Sequence, residues 1–148
     1  MKKIITILLL ALGLAILATK YKFFDAYDKK QLRIGDTVIQ VEIADTMSKQ
    51  YLGLSNRTSL CADCGMLFVF EKSSIQTFVM RNMKFPLDMI FMSGNRVNEI
   101  WKNIPSPKAG EEPQYIQSLG PADEVLEVNA GFSDLNNLKI GNTAELTR

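Results

Sequence analysis

The sequence predicts a mainly β domain of the α+β class, in which a compact, antiparallel, barrel-like sheet carries two short helices. Three observations support this prediction: short apolar runs recur at close spacing, turn residues separate them, and only two stretches have the periodicity of a short helix. The chain has 148 residues, of which 47% are hydrophobic and 22% charged. This is enough for one domain with its own core.

The first elements follow from alternation and capping. Thr37–Ala44 alternates apolar and polar residues, as a half-buried strand does. Asp45 or Thr46 can cap a short helix over residues 47–54. Residues 55–63 have the composition of a loop, because they combine polar residues with no apolar periodicity.

The later strands are indicated by apolar runs bounded by glycine, asparagine or proline. Ser93-Gly94-Asn95 predicts a hairpin between two of these strands. Ser133 can cap a second short helix reaching Leu138, and three prolines mark residues 105–113 as a surface loop. The predicted strands cover residues 66–70, 75–80, 87–92, 96–104, 125–128 and 143–146.

The first residues have the pattern of an export signal or a membrane anchor. Lys2 and Lys3 precede an apolar run over residues 4–18 in which only Thr6 is polar. A positive segment followed by an apolar one is typical of secretory signals. The run is shorter than a comfortable membrane span, so both a cleaved signal and an anchor at residues 4–19 remain open.

The expected organisation is a signal or anchor at residues 1–19, a tether at 20–31 and one domain at 32–148. The domain would then lie on the periplasmic or extracellular side of the cytoplasmic membrane. From Lys29 onward the chain has 13 basic and 14 acidic residues. Nucleic acid is not an expected partner, because phosphate binding draws on clustered lysine and arginine.

The chain contains no histidine, which excludes Ser-His and Cys-His pairs and removes the most usual zinc ligand. Ser55, Ser59 and Ser118 have no partner base, and none lies in a Gly-x-Ser-x-Gly turn. We therefore expect no cofactor and no complete catalytic constellation. Any chemistry would depend on carboxylates, lysine, tyrosine, cysteine or backbone groups.

Four distinctive segments stand in order along the chain: residues 57–60, GMLF at 65–68, FVMRNMKFPLD at 78–88 and VLE at 125–127. Together they resemble the bacterial and archaeal family known as domain of unknown function 192, which comprises UPF0127-type uncharacterised proteins. The resemblance covers about residues 32–147. It implies a single compact β-rich domain, often behind a signal or anchor segment, and it implies no settled activity.

The chain departs from the family pattern at four positions within the third segment, and at two of these, Met83 and Phe85, the pattern usually has threonine and a β-branched residue. Val79 stands where the pattern has tryptophan, and Arg81 stands where it has lysine. If the family's tryptophan lines a ligand surface, Val79 alters that function here.

Arg57, Asn82, Asp88 and Glu127 are four polar residues within the family-like segments that could form a site. A functional interpretation places them around a small cleft in which Arg57 binds an anion and Asn82 orients it. Asp88 or Glu127 would then accept a hydrogen bond or act as a general base, and these two are the candidate catalytic residues. A buried structural network of the same four side chains remains open.

Cys61 and Cys64 form a Cys-x-x-Cys motif. In an exported domain we expect a local disulfide. A redox-active pair usually lies at a helix N-terminus, whereas this pair precedes a predicted strand. A zinc site would need two more ligands, so we expect no metal, although these alternatives and free thiols remain open.

The sequence therefore favours a non-enzymatic extracytoplasmic module that binds a small polar or anionic ligand, or a segment of an envelope protein. Two enzymatic alternatives remain open. A carboxylate-based hydrolase acting on envelope material would need two carboxylates about 5–10 Å apart in one cleft. A thiol oxidoreductase would use Cys61 and Cys64.

Overall fold

A computed structural model describes residues 27–147. The predicted signal or anchor at residues 1–19, and all of the tether before residue 27, lie outside the described residues. Within the described part, no helix is long and apolar enough to cross a membrane.

The described residues form short strands and two short helices, which confirms the predicted fold class. The elements are β1 (Lys29–Ile34), β2 (Thr37–Ala44), α1 (Met47–Leu52), β3 (Cys64–Ser74), β4 (Thr77–Val79), β5 (Leu87–Ser93), β6 (Arg96–Ile104), β7 (Tyr115–Gln117), β8 (Ala122–Asn129), α2 (Phe132–Leu135) and β9 (Ala144–Thr147).

Seven of the strands form one curled sheet in the order β6-β5-β8-β3-β2-β1-β9, and β4 pairs with β7 in a separate two-stranded ribbon. All neighbours are antiparallel except β2 and β3, which are parallel. The curl brings the two outer strands together at one end, where a bridge joins Arg96 to Thr143. Val97 N–H also donates to the carbonyl of Asn142 at 2.9 Å, so the sheet is barrel-like.

The predicted hairpin between β5 and β6 is confirmed. Its two connecting residues, Gly94 and Asn95, both have positive φ, at 53° and 62°. Two positive φ values are what a type I′ turn requires, and glycine and asparagine adopt them with the least strain.

Two strands were not predicted, and the second helix differs from its prediction. β1 begins at Lys29, before the expected start of the domain, and its only buried side chains are Leu32 and Ile34. β7 has three residues, too few for a periodic signal.

The prediction that Ser133 caps α2 was wrong. Gly131 occupies the cap position, and the carboxylate of Asp88 in β5 accepts the Ser133 N–H at 2.9 Å.

Apolar side chains are buried on both faces of the sheet. All seven strands contribute to a cluster inside the curl, which α2 and the following loop close at one end. On the outer face, β4, β7 and the residues after α1 cover the central strands β3, β5 and β8. Representative members of the inner cluster are Ile34, Val41, Leu67, Ile90 and Leu126, and those of the outer cluster are Leu54, Phe68, Met80, Phe91 and Ile116.

Gly65 is the second residue of β3, and it allows β3 and β8 to approach each other closely. A Cβ atom at this position would lie 2.9 Å from Leu126 Cδ1 and 3.0 Å from the carbonyl oxygen of Glu127. The second contact is with backbone, which a rotamer change cannot relieve. Glycine at position 65 therefore fixes the backbone of Glu127 against β3.

We expect Gly65→Ala to lower the free energy of unfolding by about 1–3 kcal/mol, because the added methyl group overpacks the interface between β3 and β8. Gly120→Ala is the matched control, since a Cβ atom there meets nothing within 4 Å. Urea unfolding followed by circular dichroism measures both variants. Equal stability of the two variants would contradict this account of the β3–β8 contact.

Candidate functional site

A cavity of about 250 Å³ lies over the outer face of the sheet. Residues 50–55, from α1 and the turn after it, form one side, and residues 76–81, from β4 and its flanks, form the other. Phe68 and Phe70 of β3, Met83 after β4 and Glu127 of β8 complete the lining. We call this space the Glu127 cavity.

The Glu127 side chain points to the outer face because of its register in the sheet. It pairs with Met66 of β3 and with Met89 of β5, and both methionines belong to the outer cluster. Its relative exposure is 6%. No described group forms a hydrogen bond or ion pair with its carboxyl, so the carboxyl faces the cavity without a partner.

Burial raises the pKa of Glu127 to about 8, and the positive charge of Arg57 opposes this shift only in part. At neutral pH the side chain is therefore mostly a neutral carboxylic acid, which can donate one O–H bond and accept others. Perturbed, unpartnered groups of this kind in a cavity are candidates for a functional site.

Arg81 lies at the mouth of the cavity. Its Nη2 donates to the carbonyl oxygen of Tyr51 at 2.8 Å, and its guanidinium lies 4.2 Å from the centroid of the Tyr51 ring. No described carboxylate pairs with it. The stacked guanidinium is held in place and keeps donors free for an anionic group.

The walls are aromatic and are fixed by side-chain amides. The Phe78 ring packs edge-to-face with Phe68 at 4.9 Å and with Phe70 at 6.4 Å. Gln50 Nε2 donates to the carbonyl of Val69 at 2.7 Å, which ties α1 to β3. Gln76, the residue before β4, donates from Nε2 to the carbonyl of residue 122 at 2.9 Å and so ties this side of the cavity to β8.

Arg57 is already engaged within the described protein. Its Nη2 lies 2.5 Å from Glu42 Oε2, and its guanidinium lies 5.5 Å from the centroid of the Tyr27 ring. The hydrogen bond that Arg57 donates to the Glu42 carboxylate raises the pKa of Arg57. Arg57 therefore holds β2 to the loop after α1 and reaches Glu127 only through its charge.

Asp88 lies on the other face of the sheet from Glu127. It pairs with Val128, which belongs to the inner cluster. Its carboxylate accepts the backbone N–H groups of Asn103 at 2.8 Å, Gly131 at 3.2 Å and Ser133 at 2.9 Å. Asp88 is thus fully buried and its carboxylate is hydrogen-bonded, and it joins β6 and α2 to the start of β5.

Asn82 is exposed and acts mainly through its backbone. It has a φ of 54°, and its carbonyl accepts the Asn56 N–H at 3.0 Å. It borders a shallow surface cleft next to Arg81. The four predicted site residues therefore do not share one cleft: Glu127 faces the cavity, while Arg57, Asn82 and Asp88 lie around it or behind it.

Cys61 and Cys64 lie as a disulfide-like pair, with Cα atoms 5.2 Å apart. Cys61 lies just before β3 and Cys64 is the first residue of that strand. The Cys61 carbonyl accepts a hydrogen bond from the Asn129 side chain at 2.9 Å. The pair does not lie at a helix N-terminus, the usual environment of activated thiols. Within residues 27–147, no group of three or more cysteine and acidic side chains could hold a metal ion.

Sequence reasoning did not identify Arg81, Tyr51 or Gln76 as site residues. One signal was present for Arg81, because the family pattern also has a basic residue at that position. Tyr51 lies on a six-residue helix and Gln76 in a short connection, and neither position had a motif around it.

A family model described as DUF192, Uncharacterized ACR, matches residues 30–146. No curated protein matches the chain. Two solved structures are similar to it. One is a candidate transcription regulator from Sinorhizobium meliloti 1021, with a TM-score of 0.75 and 29% identity over 82% of this chain and 96% of that chain. The other is a protein of unknown function from Novosphingobium aromaticivorans DSM 12444, with a TM-score of 0.74 and 30% identity over 83% and 89%.

The pKa of Glu127 predicts a pH-dependent stability. Between its ordinary pKa of 4.5 and the folded value of about 8, the folded protein keeps a proton that the unfolded chain has released. The free energy of unfolding should therefore fall as pH rises through this window, by an amount on the order of 5 kcal/mol, and level off above it. Urea unfolding at several pH values measures this decrease.

Glu127→Gln keeps a neutral side chain at every pH and should lack this decrease. Glu145→Gln, at an exposed position on β9, is the control and should follow the unaltered protein. If the unaltered protein and Glu127→Gln had parallel pH profiles, Glu127 would not hold a proton in the folded state.

Proposed function

The chain belongs to the DUF192 family, and we propose that its domain is a non-enzymatic, extracytoplasmic binding module. Its ligand has an apolar body and a carboxylate or similar anionic group. The apolar body enters the Glu127 cavity and the anionic group pairs with Arg81. A small molecule and a segment of an envelope protein both have this chemistry.

One observation carries the proposal: within residues 27–147, a buried carboxyl without a partner and a guanidinium without a carboxylate border the same apolar cavity. Structural polar groups in folded proteins are nearly always paired, as Asp88 is in this domain. The Arg81 guanidinium can hold a carboxylate through two parallel bonds. The neutral acid of Glu127 can donate to a carbonyl or hydroxyl oxygen at the buried end of the ligand.

The geometry favours binding over hydrolysis. The hydrolase hypothesis needs two carboxylates that face one cleft. Asp88 and Glu127 point to opposite faces of the sheet, and the Asp88 carboxylate is used by three backbone groups. A single neutral acid beside an arginine is suited to recognition of an acidic ligand.

A nucleic acid is not the proposed partner, although the Sinorhizobium meliloti structure is named as a candidate transcription regulator. The basic and acidic residues from Lys29 onward number 13 and 14. A domain without a positive excess lacks the electrostatic attraction that phosphates require.

The extracytoplasmic location rests on the sequence of residues 2–18 and on the pair Cys61 and Cys64, since disulfides persist in oxidising compartments. A fusion of alkaline phosphatase to the C-terminus of the full chain should be active in intact cells, because that enzyme needs an oxidising compartment. The same fusion without residues 1–19 is the control and should be inactive. Equal activity of both fusions would contradict export by this segment.

The ligand chemistry can be tested with 3-phenylpropionate, which has an aromatic body and a carboxylate, and with its neutral amide. We expect the acid to bind more tightly than the amide and to perturb the NMR signals of residues 76–81. Arg81→Gln should weaken binding of the acid about tenfold, because a charge-assisted pair is lost.

Arg33→Gln is the matched control, because Arg33 is an exposed arginine on β1. It should leave the affinity for the acid unchanged. Equal affinities of Arg81→Gln and Arg33→Gln, or perturbed signals away from the Glu127 cavity, would reject Arg81 as the anion-binding residue.

A further inference from the structure

β4 uses only one of its two edges. Met80 N–H donates to the carbonyl of Gln114 at 3.0 Å, in register with the β4–β7 ladder. Hydrogen-bonded pairs alternate along an antiparallel ladder, so Phe78 also faces β7 with its backbone groups. The N–H and C=O groups of Thr77 and Val79 therefore point away from β7, and no described group bonds to them.

This free edge borders the Glu127 cavity. Residues 76–81 line the cavity without interruption, although the side chains of successive strand residues point to opposite faces. The lining is continuous because the edge itself runs along the opening. α1 and the turn after it, residues 50–55, lie across the opening from it.

The free edge has little protection. Natural proteins guard exposed edges with charged residues, proline, a bulge or a very short strand, and of these β4 has only its length of three residues. β4 is Thr-Phe-Val, which contains no charge and no proline, and its pairing with β7 is regular. An edge of this kind accepts a further strand readily.

The size of the cavity fits an inserted side chain. Its volume of about 250 Å³ lies below the roughly 300–1,000 Å³ of typical small-ligand sites. A peptide lying across the opening needs room for one side chain only. The aromatic walls suit a large apolar side chain, and the Glu127 acid suits a polar atom at its tip.

We propose that the ligand is an extended peptide segment of a partner protein, which adds to the β4–β7 ribbon as a third strand along Thr77 and Val79. This inference rests on the binding function proposed above. One large side chain of the peptide fills the cavity towards Glu127. A carboxylate of the peptide, from an acidic side chain or from its C-terminus, pairs with Arg81.

The test uses the full chain in detergent and random heptapeptides displayed in two libraries. In one library the peptides end in a free C-terminus, and in the other both ends are joined to the carrier protein. Binding from the second library can use only an acidic side chain, so the libraries distinguish it from the C-terminal carboxylate. The enriched sequence is synthesised with a fluorescein label, and its Kd is measured by fluorescence anisotropy. Replacing its carboxylate by an amide should weaken binding about tenfold.

Val79→Pro removes one outward N–H and leaves the bonds between β4 and β7, whereas the matched variant Val79→Ala keeps that N–H. We expect Val79→Pro to weaken binding of the peptide about tenfold and Val79→Ala less than about threefold. Arg81→Gln should weaken binding about tenfold. Thermal unfolding of each variant checks that the fold is retained.

N-methylation of the peptide repeats the test on the unaltered protein. Methyl groups on alternate amides should abolish binding, because only every second N–H of an added strand faces β4. If no heptapeptide is enriched, or if binding shows neither this alternation nor a loss in Val79→Pro, the strand-addition proposal is wrong. Binding of 3-phenylpropionate that depends on Arg81 would then still support the proposed function, with a small molecule as its ligand.

Discussion

Both faces of β3, β5 and β8 are buried, and this constraint determines the rest of the architecture. The inner faces are buried when the sheet curls, but the outer faces need a separate cover. The turn after α1 and the β4–β7 ribbon form that cover. These elements are short, the side-chain amides of Gln50 and Gln76 tie them to the sheet, and the Glu127 cavity lies between them.

Two buried carboxyl groups respond to this architecture in opposite ways. Asp88 lies near the start of β5, where the end of β6 and the first residues of α2 converge, and three backbone N–H groups bond to it. Glu127 lies in the middle of β8, where every backbone N–H is used by neighbouring strands. It has no such donors, so burial favours its neutral form. The carboxyl group of Asp88 is therefore structural, whereas that of Glu127 is available to a ligand.

Much of the fold could be predicted from the sequence, because strand alternation and turn residues are local properties. The hairpin at Gly94 and Asn95, the cap at Thr46 and the strand at Thr37–Ala44 are each specified by a few adjacent residues. β1 and β7 were not predicted, because they become strands only by pairing with distant parts of the chain. The prediction of the α2 cap was wrong for the same reason, since Asp88, which accepts the Ser133 N–H, is remote in sequence.

The sequence by itself determined the family, the mainly β class and the set of polar residues within the family-like segments. It could not determine which of these residues meet. Adjacent strand residues point to opposite faces, so the pairing of β5 with β8 decides that Asp88 and Glu127 are separated. The tertiary structure likewise pairs Arg57 with Glu42 and places no described carboxylate against Arg81 at the cavity, because ion pairing depends on which distant strands and loops the fold brings together.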